Sequence, residues 1–230
     1  MTDTVYVTNL VSNTISVING ATCNGTDHSG CGQLPATLAA KGVAFGLAVN
    51  EATDSLYAVV ANDKLAVFNA ATCNGTDHSG CGQTPATVKV GSFPEGVALD
   101  QATDTVYVAN NANSDAPASV SVINGSTCNG THHSGCGQVA ATAPAGRGAF
   151  GLAVDQAADK IIVASFADAS VTLINGATCN ATDTTGCGRT PAKKPAGSGP
   201  FWVAADGPAG TAYVSVGNRN ELAVICTGGH

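Results

Sequence analysis

The chain has 230 residues, only 11% of them charged, and a net charge of −7. Lys193-Lys194 is its one basic cluster, so the basic stripe of a nucleic-acid-binding surface is missing. Its longest apolar runs, such as Val43–Val49, are strand-sized, which excludes a membrane-spanning helix. Low charge with 28 glycines and abundant Thr, Ser, Asn and Ala fits an extracellular β-rich protein better than a cytosolic enzyme.

Met1 leads directly into strand-like Thr4–Thr8, an alternating run rich in β-branched residues. No signal peptide stands before it, so a secreted protein is expected to carry its leader outside this chain. The run Ile15–Asn19 follows, then Ala21–Gln33, which reads Ala-Thr-Cys-Asn-Gly-Thr-Asp-His-Ser-Gly-Cys-Gly-Gln. The same thirteen residues return at Ala71–Gln83, with looser copies at Ser126–Gln138 and Ala177–Arg189. Cys23, Cys73, Cys128 and Cys179 lie 50, 55 and 51 residues apart, a period that implies an array of one supersecondary unit. The expected organisation is one continuous domain over 1–230, with units at roughly 1–42, 43–93, 94–148, 149–199 and 200–230.

Three strand signals recur in each unit. One is Phe45–Asn50, Gly96–Asp100, Phe150–Asp155 and Phe201–Asp206. The next alternates around a tyrosine or isoleucine, at Val5–Asn9, Leu56–Ala61, Val106–Asn110, Ile161–Ser165 and Ala212–Val216. The third is Ile15–Asn19, Leu65–Asn69, Val120–Asn124, Val171–Asn175 and Leu222–Ile225. A weaker fourth follows each cysteine loop, clearest at Ala86–Val90. Turns such as Glu51–Asp54, Gln101–Asp104 and Gln156–Asp159 join the first strand to the second. Four short antiparallel strands per unit describe a β-propeller blade, so the fold expected is all-β, with about five four-stranded blades, the first and last incomplete. The aromatics Phe45, Phe93, Phe150, Phe201 and Trp202 are expected on the connections between blades.

Tyr6-Val7-Thr8-Asn9 and Tyr107-Val-Ala-Asn110, with Val-Ile-Asn-Gly at Val17–Gly20 and Val122–Gly125 and the variant Leu173–Gly176, resemble the YVTN-type β-propeller repeat family. The likeness runs over nearly the whole chain. It implies a propeller of secreted or surface-layer type, without shared catalytic residues. The inserted cysteine loop is a departure from that repeat.

Each loop holds a Cys-x7-Cys pair: Cys23/Cys31, Cys73/Cys81, Cys128/Cys136 and Cys179/Cys187. Zinc would need further ligands. His28 and His78 supply one, but Thr184 and Thr185 replace it in the fourth copy while both cysteines remain. Disulfides in an oxidising compartment are therefore expected, with no metal. Each closed loop would contribute on the order of 2–3 kcal/mol. Cys226 is the odd one out. Sequons at Asn24, Asn74, Asn129 and Asn180, with another at Asn124, mark candidate glycosylation sites. Turn chemistry in an Asn- and Gly-rich chain also produces them.

No nucleophile, base and orienter come together in the sequence: the histidines sit only in the loops and at His230. Asp100/Asp104 and Asp155/Asp159 fall in turns, where carboxylates cap backbone amides. No cofactor is expected. The surface most suited to a ligand is Arg147, Phe150, Phe201 and Trp202, although recurring aromatics in an array first suggest packing. The expected function is a non-enzymatic extracellular or cell-surface structural and interaction module. The expected partners are a second copy or another surface protein engaged through the terminal strands, and glycans, with neither nucleic acid nor membrane insertion. A carbohydrate- or peptide-binding propeller and a lactonase-like enzyme are the alternatives.

Overall fold

The computed structural model describes residues 3–112, 117–137 and 141–228. Gln138 of the third cysteine loop, part of the loop between Ala109 and Ser119, and His230 lie outside the described residues. The first unit contributes β1 (Thr4–Asn9), β2 (Thr14–Asn19) and β3 (Ala36–Ala39). The second contributes β4 (Ala44–Asn50), β5 (Ser55–Val60), β6 (Lys64–Asn69) and β7 (Ala86–Lys89). The third holds β8 (Pro94–Asp100), β9 (Thr105–Asn110), β10 (Ser119–Asn124) and β11 (Ala141–Pro144). The fourth holds β12 (Ala149–Asp155), β13 (Lys160–Ser165), β14 (Ser170–Asn175) and β15 (Ala192–Pro195), and the fifth β16 (Pro200–Asp206), β17 (Thr211–Val216) and β18 (Glu221–Cys226).

Each unit is one antiparallel meander whose spatial order follows the chain, giving sheets of three, four, four, four and three strands. The first strands β4, β8, β12 and β16 neighbour one another in series, as the inner strands of propeller blades do. The strand count and order match the sequence reading. A 3-10 turn, Phe166–Asp168, the one such turn among the described residues, joins β13 to β14, where no helical periodicity is present in the sequence.

The core lies between the sheets. Ile15, Val17 and Leu38 of the first unit meet Leu56, Ala58 and Phe68 of the second, and equivalent clusters fill the next three junctions. The second strands of the middle units, β5 and β9, are therefore buried along their whole length. In β1 and β17 burial alternates, because only one face of each terminal sheet has a neighbour.

Inner strands approach too closely for side chains. A Cβ on Gly46 would stand 2.8 Å from the Glu95 carbonyl oxygen, on Gly96 2.6 Å from that of Phe150, and on Gly151 2.7 Å from that of Phe201. Each glycine is the third residue of its inner strand, and a β-bulge sits at that strand's start. In β16 the third residue is Trp202.

The structure corrects the placement of the aromatics. Phe45, Phe150, Phe201 and Trp202 belong to the inner strands β4, β12 and β16 rather than to the connections, and Phe93 alone stays in a connection. The inner strands begin one or two residues before the hydrophobic alternation starts, since the bulge breaks that alternation.

Candidate functional site: the cysteine-loop rim and its interblade clamp

All four Cys-x7-Cys pairs are closed as disulfides, Cys23–Cys31, Cys73–Cys81, Cys128–Cys136 and Cys179–Cys187. Inside each loop the sequon asparagine is the organising residue. Asn74 Oδ1 accepts from the Thr76 amide, the Thr76 hydroxyl and the Asp77 amide, while its Nδ2 donates to the Ala70 and Ala71 carbonyls. Asn129 and Asn180 repeat the pattern, with Asn180 donating to Gly176. Asn74, Asn129 and Asn180 are buried. A glycan on Nδ2 would displace these bonds and force the loop off its neighbour, so the geometry opposes the sequence expectation at three of the four sites. Asn24 makes the same bonds but is exposed. The regular sequon register thus serves turn chemistry in every loop.

The next residues fix the loop's carboxylates. Backbone and hydroxyl donors of Ser29 and Ser79 hold Asp27 and Asp77 below the usual carboxylate range, and the Thr185 hydroxyl and amide do the same for Asp183. With their cysteines in disulfides, the loops offer histidines without thiolates; among the described residues no group of three metal-ligating side chains occurs.

Three of the four loops are gripped by the blade before them. Tyr6 Oη donates to the Cys73 carbonyl at 2.7 Å, Tyr57 to Cys128 at 2.8 Å and Tyr107 to Cys179 at 2.8 Å. Two residues upstream of each tyrosine, a hydroxyl accepts an amide of the same loop. The Gly75 N–H reaches Thr4 at 2.8 Å, the Gly130 N–H Ser55 at 2.7 Å and the Ala181 N–H Thr105 at 2.8 Å. Burial pushes the Tyr6 hydroxyl up to about 12, and Tyr57 and Tyr107 further in the same direction. This hydroxyl-x-Tyr clamp was missed in the sequence. Its signal is Thr4/Tyr6, Ser55/Tyr57, Thr105/Tyr107 and Thr211/Tyr213. The fourth unit has Lys160 and Ile162 there, and at the matching first-cysteine place of the fifth stands His230.

The turn carboxylates cap backbone amides. Asp100 accepts from the Ala102 amide and Thr103 hydroxyl, and Asp155 from the Ala157 and Ala158 amides and the Thr227 hydroxyl.

The aromatic face is assembled at the fourth junction. Phe150 stacks on Phe201 with centroids 4.4 Å apart, and Phe166 and Trp202 meet Phe201 edge-on. Trp202 is 49% exposed. Arg147 is held elsewhere: its Nε pairs with Asp168 at 3.0 Å, beside Lys193 at 2.7 Å. Lys193, then Arg147, draw the Asp168 carboxyl down to about 2. Arg147 lines a cleft of about 560 Å³ with Asp168, Lys193 and Lys194, apart from the rings.

No protein-family model and no curated protein matches the chain. Solved structures do. A chain in the crystal structure of a nidogen/laminin complex superposes with a TM-score of 0.68 at 16% identity, over 99% of this chain and 73% of that one. Kuenenia stuttgartiensis hydrazine synthase gives 0.56 at 14% identity, over 98% and 80%. At such identities the shared property is the fold, and this chain has a β-propeller's blade arrangement.

Proposed function

We propose that this chain is a non-enzymatic extracellular or cell-surface module, a YVTN-type repeat that presents and stabilises protein–protein contacts. The observation that carries the reading is the disulfide rim, clamped three times over by Tyr6, Tyr57 and Tyr107. Four disulfides in an all-β array suit an oxidising compartment. Asp100 and Asp155 are engaged in turns, and the hydroxyls of Thr4, Ser55 and Thr105 in clamps. The nidogen/laminin neighbour comes from an assembly of two proteins, which supports the interaction reading. Thiol counting on protein from its native source tests the compartment: unreduced material should alkylate at Cys226 alone, and eight or nine reactive thiols would reverse the assignment. Absence of lactone hydrolysis by the same material is expected, and turnover would favour the lactonase reading.

A second reading, carbohydrate or peptide binding, rests on half-exposed Trp202 beside the Phe150–Phe201 stack. A glycan array comparing wild type with Trp202→Ala decides it.

A further inference from the structure

The clamp that joins consecutive units has one unused half at each end of the array. In the fifth unit Thr211 and Tyr213 repeat the hydroxyl-x-Tyr pair, yet the Tyr213 hydroxyl has no hydrogen-bond partner among the described residues. In the first unit the Cys23 carbonyl and the Gly25 N–H, the two atoms that a clamp would hold, have no partner either. An open cleft of about 870 Å³ borders Cys23 and Asn24.

The apolar faces match in the same way. At the junction between the second and third units, Tyr57, Leu65 and Val67 of one sheet cover Val106 and Val108 of the next, and all five are at most 1% exposed. The fifth unit's counterparts of the first three are Tyr213, Leu222 and Val224, which are 38%, 61% and 62% exposed. The first unit's counterparts of the last two are Val5 and Val7, 47% and 42% exposed. One face is thus the donor side of an interblade junction and the other its acceptor side. The inner strands add a constraint. Every inner strand that receives a following inner strand has glycine third, whereas β16 has Trp202, which leaves no room for that approach. The first unit has no inner strand in its sheet, so it makes no such demand.

We propose that the chain associates head to tail: the fifth unit's face of Thr211, Tyr213, Leu222 and Val224 docks on the first unit of a second copy, with Tyr213 gripping its Cys23–Cys31 loop. That loop is the one of the four whose clamp atoms are free. The contact is heterologous, so it closes into a ring or extends. It buries a sheet face and needs no pairing at the β18 edge. The proposal deepens the interaction reading and fails separately from it, because a monomer could still serve other partners from the rim.

Gly25 provides the test. A Cβ there meets nothing within 4 Å, whereas at Gly75 and Gly130, inside formed junctions, it would stand 2.8 Å from the Cα of Asn19 or Asn69, and the single methyl of Ala181 is the largest group that any formed junction holds at this place. Gly25→Val therefore leaves the isolated chain undisturbed and blocks docking. Gly32 is also open, and so are its counterparts Gly82 and Gly137 inside formed junctions, which makes Gly32→Val the control. Light scattering and sedimentation velocity over a concentration series should show wild type and Gly32→Val associating and Gly25→Val monomeric with an unchanged melting curve. Tyr213→Phe with Thr211→Val should weaken association about tenfold, as the loss of two net hydrogen bonds implies. Cys226 takes the place of Asn69 in the fifth unit, so its alkylation should slow as wild type associates and not in Gly25→Val. A wild type that stays monomeric up to its solubility limit overturns the proposal, and so does association that survives Gly25→Val.

Discussion

Tyr57 and Tyr107 are polar groups placed where water cannot compensate for a lost partner. Each is fully buried and donates to one cysteine carbonyl of the next blade. Tyr107→Phe keeps the ring and strands the Cys179 carbonyl, so it should lower stability by about 1–3 kcal/mol in denaturant titration. Tyr213→Phe, at a hydroxyl with no partner among the described residues, should leave the monomer's stability unchanged. The same hydroxyls set an alkaline limit. Their folded pKa values are raised above the ordinary tyrosine value of about 10, so the stability they give is intact below that pH. It is lost as pH climbs from there through about 12, the value for Tyr6. Tyrosinate absorbance and circular dichroism followed together should show these rings ionising only as the sheets melt; tyrosinate forming at Tyr57 and Tyr107 in a still-folded protein would contradict the burial argument. For the sequon asparagines, Asn129→Ala should cost about 2 kcal/mol or more through its lost loop bonds. Peptide mapping of native material should find no glycan at Asn74, Asn129 or Asn180, leaving exposed Asn24 as the one loop site able to carry it.

At the scale of strands, the alternation of apolar residues made the first three strands of each unit legible to within a residue or two, while of the short outer strands only β7 had bounds in the sequence, and the recurrence of cysteines at fixed spacing made the disulfides legible too. What the sequence hid was relational. Tyr6 and Tyr107 read as strand-formers because nothing local says that the hydroxyl meets a carbonyl about seventy residues away. Asn74 read as an acceptor for sugar because a sequon and an Asx-type loop share the same letters, and only burial separates them. Phe150 and Phe201 open the first strand signal yet were assigned to the connections, because the bulge breaks the period-two pattern at the start of each inner strand. Gly96 belongs to the same class: its meaning is the Phe150 carbonyl of the next blade. Gly96→Val should push β8 and β12 apart and destabilise by about 1–3 kcal/mol, as overpacking does. The same change at Gly137, which faces open space, should be silent in a thermal melt.

Taken whole, the molecule is a line of junctions, each made by adjacent units only, and such arrays add stability unit by unit. One property of the repeated thirteen-residue segment follows from this. Because Ala21–Gln33 and Ala71–Gln83 are identical, removing residues 21–70 splices β2 onto the second loop without altering a residue of it. The shortened chain keeps Thr4 and Tyr6 in front of the loop that Ser55 and Tyr57 once held, so Tyr6 would close on the Cys128 carbonyl and Thr4 on Gly130. It should fold with three disulfides and a β-rich spectrum, one junction less stable than its parent; an unfolded product would mean that the junctions are less interchangeable than their shared chemistry implies. Length in this protein is thereby a quantity that can be changed by whole steps, with the register of every remaining contact carried across the seam.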